Sequence, residues 1–279
     1  MAKPEALLVW PEHLLLIGCG NMAGAMLGRW LELGLPPQRV TVIRPSGKAV
    51  ADGVEVATQL EAPVAHGTLV LLGCKPQQLG AVSADIADKL AEGVTILSIL
   101  AGTPISGLRA AFPAARSIIR CMPNLPVRIG KGVCILHADE GASPETQQLV
   151  SSLCGQLGLV EWLDDEGLFD AATALAGCGP AFLYRFIDAM ASAGAQLGLD
   201  PEASARMALM TVEGAALSAG AGLVPPGAMA DAVASKGGMT REGLDVLDRA
   251  DGLHALIGET LRAARDRGVE LAELSRKSA

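Results

Sequence analysis

Leu14-Leu15-Leu16-Ile17-Gly18-Cys19-Gly20-Asn21-Met22-Ala23 is the stretch that decides the fold. Four aliphatic residues run into two glycines one residue apart, and helix-compatible sequence follows. This is the Gly-x-Gly-x-x-Gly/Ala arrangement between a strand and a helix. In that setting Gly18 makes the turn, Gly20 lets a pyrophosphate approach the backbone, and Ala23 allows the helix to pack close to the strand. The anion then rests at the helix N-terminus. A dinucleotide site is therefore expected near the start of the chain, touched by Gly18, Cys19, Gly20, Asn21 and Met22.

From residue 13 to about 162, short aliphatic or β-branched runs alternate with helical patterns, the mark of βαβ units on a parallel sheet. The runs fall at 14–17, 40–43, 54–56, 68–72, 95–100, 117–121, 133–137 and 160–163. Ser143-Pro144-Glu145 starts a helix between the last two, with a hydroxyl cap and a proline in the first turn. After Asp164-Asp165-Glu166 the strand signal stops. Pro180 opens a helix that carries Phe182, Leu183, Phe186, Ile187, Met190 and Leu197 on one apolar face and stops at Gly198. Asp200-Pro201-Glu202 caps the next, and further helices are expected near 227–234, 241–248 and 252–267. The predicted organisation is α/β, with a Rossmann-like parallel-sheet domain over 1–162 and an all-helical domain over 163–279. The alanine-rich, weakly charged helices carry more apolar surface than a small free bundle hides, which predicts a second subunit packed against them.

Composition narrows the partners. The chain has 279 residues, half of them apolar, with 33 glycines and a formal net charge of -8. That charge, without any basic stripe, argues against a nucleic-acid partner. Cys19, Cys74, Cys121, Cys134, Cys154 and Cys178 stand singly, with no Cys-x-x-Cys spacing, so neither a metal site nor a disulfide framework is expected. They read as small buried hydrophobes in a reducing compartment. The apolar stretch at 6–10 is too short for a signal-peptide core, and the uncharged runs at 93–108 and 215–230 fall short of a membrane span. A soluble, cytoplasmic protein is expected.

The end of the second run reads Arg44-Pro45-Ser46-Gly47-Lys48. An acidic residue there would accept hydrogen bonds from the ribose hydroxyls of NAD, whereas Arg44, Ser46 and Lys48 suit a 2′-phosphate. NADPH is the expected cofactor, with NADH left open. Near the other end, Ser235-Lys236-Gly237-Gly238-Met239-Thr240 leads into an amphipathic pattern. Two glycines and two hydroxyls at a helix start describe a pocket for a small carboxylate.

Taken together, several segments resemble the pyrroline-5-carboxylate reductase family. They are 17–22 at the glycine turn, Cys74-Lys75-Pro76-Gln77, Ser98-Ile99-Leu100-Ala101-Gly102, Met122-Pro123-Asn124, the stretch 170–182 ending Gly177-Cys178-Gly179-Pro180-Ala181-Phe182, and the 235–240 turn. The resemblance implies a helical domain exchanged across a homodimer, sometimes with five dimers in a ring. It implies that Ser235, Gly237, Gly238, Met239 and Thr240 hold the substrate carboxylate, with Thr240 also near the ring nitrogen. Glu166 matches a family acid that contacts the substrate, so Thr240, Ser235 and Glu166 form the expected catalytic set. Gly73, Cys74, Lys75 and Pro76, with Ile99, Leu100, Ala101 and Asn124, would line the ribose and nicotinamide end of the cofactor.

The chain departs from the family pattern at five positions. Lys236 replaces the usual proline of the carboxylate turn, Ala176 and Cys178 replace two serines, and Ala232 and Gln59 stand where asparagine is common. Alternatives are therefore a reductase of another cyclic imino acid and a non-catalytic dinucleotide-binding protein. A β-hydroxyacid dehydrogenase should show a lysine within a helix of its second domain, and none stands out.

Overall fold

A computed structural model describes the backbone of residues 9–278 and the side chains of residues 9–273. The apolar stretch at 6–10 begins outside the described residues. Eight strands form one sheet: β1 (Leu14–Ile17), β2 (Val40–Ile43), β3 (Glu55–Ala57), β4 (Leu69–Leu72), β5 (Thr95–Ser98), β6 (Ser117–Pro123), β7 (Gly132–Ala138) and β8 (Gly158–Trp162). Their order is β3-β2-β1-β4-β5-β6-β7-β8. Every expected run is a strand. β5 stops at Ser98 because the Leu100 N–H turns to the Ser98 side-chain oxygen.

The sheet is parallel, as expected, except at one pair of strands. β7 runs antiparallel to β6, and β8 is parallel to β7. The connection over 124–131 is too short for the crossover that a parallel neighbour needs, so the chain turns back on itself. β8 takes the same direction as β7 through the crossover helix α4 (Pro144–Gly155), capped by Ser143 as expected.

Helices cover both faces. α1 (Asn21–Glu32) and α4 share one apolar core with Leu14, Leu16, Leu71 and Ile119, and the Trp30 indole N–H donates to the Leu153 carbonyl at 2.9 Å. α2 (Leu79–Ile86) and α3 (Ile105–Ala111) cover the other face, against Leu15, Val70, Ile96 and Ile118. β1 and β4, central in the sheet, are buried at every residue, which is why they read as unbroken aliphatic runs. One core differs from expectation: Cys121, Cys134 and Cys154, isolated in sequence, bring their sulfurs together.

After β8 the chain forms α5 (Phe169–Ala172), a π-helical turn at Thr173–Gly177, α6 (Gly179–Gln196), α7 (Pro201–Ala221), α8 (Pro226–Ala232), α9 (Met239–Leu247) and α10 (Leu253–Ser278). Gly198 takes φ +99° after α6, and Asp200 accepts the Ala203 N–H to cap α7. α10 runs past the expected stop near 267. Gly268 lets it pass α5, since a Cβ there would lie 3.2 Å from the Asp170 carboxylate.

The chain divides into two compact units. The first extends to Cys178 and takes back the chain from Ala264; the second is Gly179–Ala263. The expected boundary at 162/163 marks the loss of strand signal, whereas residues 166–178 stay with the sheet. Within the second unit α6 and α7 meet through small residues: Ser204 donates to the Ala191 carbonyl at 2.7 Å, and a Cβ on Gly194 would lie 2.2 Å from the Ser204 hydroxyl oxygen. Large apolar side chains of this unit, including Leu183, Phe186, Met210 and Leu217, stay exposed.

Candidate cofactor and substrate sites

Because β1 to β6 run parallel, the residues that follow them gather at one edge of the sheet. These are 18–22 after β1, 44–47 after β2, 73–76 after β4, 99–101 after β5 and Asn124 after β6, so topology alone joins all the expected cofactor residues. β1 lies between β2 and β4, where the winding of the sheet reverses. That switch point is the crevice in which open α/β sheets bind ligands.

Gly18 takes φ +84°, and a Cβ on it would lie 2.9 Å from the Cys74 nitrogen. A Cβ on Gly73 would lie 2.8 Å from the Gly18 oxygen and 2.9 Å from the Ala23 methyl carbon. The two turns therefore close on each other without side chains between them. Gly20 is different: nothing lies within 4 Å of where its Cβ would be. It is the N-cap of α1, and no side chain caps the helix. Open space over uncapped N–H groups is the geometry a pyrophosphate needs.

Arg44-Pro45-Ser46-Gly47 forms a turn closed by the Gly47 N–H on the Arg44 carbonyl at 3.0 Å. Burial pushes the Cys19 thiol up, and the positive charge of Arg44 opposes that shift. Arg44 and the exposed Ser46 follow β2, the strand paired with β1, and so start from the same edge of the sheet as the glycine turn. Burial also raises the Cys74 thiol.

Several expected contacts have narrowed roles. The Ile99 N–H donates to the Leu72 carbonyl at 3.1 Å, and the Leu100 side chain is buried in the core, while Ala101 is exposed. The Lys75 N–H donates to the Gln78 side-chain oxygen at 3.0 Å, opening a helical turn at Pro76–Gln78. The buried Asn124 uses both ends of its amide internally, donating to the Ala176 carbonyl and accepting the Val133 N–H, each at 2.8 Å.

Glu166 lies on the return path of the chain. β7 and β8 run away from the cofactor edge, and residues 166–177 climb back along the sheet face. Glu166 Oε1 accepts from Arg120 Nη1 and from the Ile105 N–H, both at 2.8 Å. The Arg120 guanidinium also sits 3.8 Å over the Phe169 ring. Arg120 is opposite Ser98, the last residue of β5, so this clamp ties the loop after β5 to the returning segment. The π turn follows, closed by the Cys178 N–H on the Thr173 carbonyl at 2.9 Å, and Ala176 then reaches Asn124. Sequence reasoning missed Arg120, although a charge inside the run 117–121 demands a buried partner.

In the second unit the 235–240 turn has the expected form. The Gly238 N–H donates to the Ser235 carbonyl at 2.9 Å, Gly237 takes φ +71°, and Gly238 is the N-cap of α9. A Cβ on Gly238 would lie 2.6 Å from the Ser235 hydroxyl oxygen, so only glycine lets that hydroxyl lie over the helix start. Ser235, Lys236, Met239 and Thr240 are exposed. Arg241, which sequence reasoning also missed, holds the turn: its guanidinium bonds Asp245 at 2.8 Å and Asp248 at 2.7 Å and approaches Asp231 on α8. Those carboxylates, Asp248 foremost, push its pKa further up.

Known proteins share both units. Residues 13–102 match the family model for coenzyme F420-dependent NADP oxidoreductase, and residues 166–271 match that for pyrroline-5-carboxylate reductase dimerisation. The pyrroline-5-carboxylate reductase of Pseudomonas aeruginosa is 34% identical over 92% of this chain and 96% of its own. A solved Coxiella burnetii pyrroline-5-carboxylate reductase superposes with a TM-score of 0.84 at 28% identity, covering 94% of this chain and 99% of that one. The Plasmodium falciparum pyrroline carboxylate reductase, solved with NADP bound, gives 0.81 at 23% identity over 93% and 98%. The chain belongs to the pyrroline-5-carboxylate reductase family.

Proposed function

We propose that this protein reduces 1-pyrroline-5-carboxylate to L-proline with NADPH. The observation that carries the reading is the start of α9, where Gly238 leaves room for the Ser235 hydroxyl above uncapped N–H groups. Such a site takes a small carboxylate. At the other site, the open Gly20 position and the uncapped start of α1 fit the pyrophosphate, and Arg44 with Ser46 fits the 2′-phosphate. NADPH supplies the hydride when bound.

The chain's own residues bind and orient. The Ser235 hydroxyl and the N–H groups of Met239 and Thr240 hold the carboxylate, and the Thr240 hydroxyl hydrogen-bonds the ring nitrogen. Fixing both groups presents one face of the C=N carbon. The imine is basic enough to be protonated from solvent, so no strong protein acid is needed. Glu166 enters as the residue that anchors the loop after β5, with its substrate contact resting on the family resemblance. The exposed apolar side chains of the second unit support a homodimer through these helices, and rings of dimers accord with the family. No single described helix is long and apolar enough to cross a membrane, which accords with a cytoplasmic enzyme.

NADPH oxidation measured with five- and six-membered cyclic imino acids side by side tests the proposal. Turnover of the five-membered acid is expected, with Thr240→Ala lowering kcat far more than NADPH affinity. Lys236, exposed in the carboxylate turn, favours one second reading, a reductase of a larger ring; preference for the six-membered acid would establish it. NADPH binding without any turnover would leave a sensing protein.

A further inference from the structure

Cys121 on β6, Cys134 on β7 and Cys154 in the last turn of α4 bring their sulfurs within 4.8 Å of one another. All three are buried, at 1%, 0% and 0% exposure, in the core formed with Leu136, Val150 and Leu153. They lie on the sheet face opposite the Arg120–Glu166 clamp.

The register sets what three thiols can do here. Cys121 pairs with Leu136 and Cys134 with Pro123, so the two strand cysteines are diagonal neighbours. Diagonal pairs lie about 7–8 Å apart at Cα, beyond disulfide reach. Among the described residues no histidine, acid or fourth cysteine joins the group, so the closed tetrahedral zinc site is not formed. Charge decides among the remaining ions. Three thiolates around a monovalent or divalent ion leave net negative charge in an apolar core, which is expensive. Around a trivalent ion the complex is neutral.

We infer that Cys121, Cys134 and Cys154 form a binding site for a trivalent thiophilic ion of the arsenic(III) or antimony(III) type. Arsenous acid loses three As–O bonds and the thiols lose three protons; three As–S bonds and three waters form, with no change of oxidation state. The pyramidal product needs no fourth ligand. Because the thiols are buried, binding waits on α4 lifting from the sheet and is slow. Once in place, the ion staples β6, β7 and α4 together.

The test incubates the full chain, reduced with a phosphine, with sodium arsenite, removes free arsenite by gel filtration, and counts arsenic per chain. One equivalent is expected in the wild type, with a raised Tm. A variant lacking Cys19, Cys74 and Cys178 should keep it, and Cys154→Ala should retain less than a tenth. Absence of retained arsenic, a lowered Tm, or undiminished retention in Cys154→Ala would overturn the inference. Should Cys154→Ala fail to fold, X-ray absorption at the arsenic edge of the wild type decides: three sulfur neighbours support the site, and two sulfurs with an oxygen overturn it.

Discussion

Gly18 and Gly73 meet backbone to backbone, each standing where a Cβ on the other would collide at 3.0 Å or less. The contact joins the ends of β1 and β4 at the winding reversal, so the crevice floor is built of main chain. Gly18→Ala adds left-handed strain of about 1–3 kcal/mol to overpacking of similar size. At about 2–4 °C per kcal/mol, the combined 2–6 kcal/mol should lower Tm by roughly 4–24 °C. Gly20→Ala is the contrast: thermal unfolding should barely change, while titration should show NADPH binding weakened about tenfold, or 1.4 kcal/mol.

Arg44→Asp removes a cation from the crevice rim and adds an anion. The KM for NADPH should rise at least tenfold while that for NADH changes little. Parallel initial-rate series with the two cofactors check it, and equal effects would remove the phosphate role of Arg44.

Asn124→Leu leaves the Ala176 carbonyl and the Val133 N–H without their partners. Two buried groups losing hydrogen bonds cost about 2–4 kcal/mol together, readable as a lower urea midpoint.

Arg120 and Glu166 should couple. Arg120 is almost fully buried and Glu166 about a third exposed, at 7% and 31% of side-chain surface. Arg120→Met and Glu166→Gln, singly and together, should give a double-mutant coupling of about 1–2 kcal/mol after discounting for solvent at Glu166. Strict additivity would make the ion pair incidental to stability.

Burial holds the Cys19 and Cys74 thiols above their usual range, so little thiolate exists at neutral pH. Alkylation of both by iodoacetamide should be slow at pH 7 and accelerate only above the pH range in which an exposed thiol ionises, and NADPH should slow it further. Peptide mapping against time resolves the two residues.

The sequence made the strands legible because β1 and β4, covered on both faces, must be continuously aliphatic. The glycine turn and the 235–240 turn were legible too, since each needs a backbone that only glycine provides. Direction was harder. Nothing in the aliphatic run of β7 distinguishes parallel from antiparallel, and only the short connection 124–131 carried that signal. The triad of cysteines was invisible for a similar reason: Cys121, Cys134 and Cys154 meet through strand register and helix packing, which sequence spacing does not encode. Asn124 and Leu100 follow β6 and β5 at the edge of the sheet, yet their side chains serve the interior.

The reversal at β7 has one more effect. A sheet parallel throughout would release the chain from β8 beside the crevice with no return path. Here the polypeptide must double back, and it is fastened at Arg120 and then at Asn124 before it departs at Cys178. The last residues of the first unit are thus also a wall of its ligand edge, and whatever stiffens that edge stiffens the tether to the helices beyond.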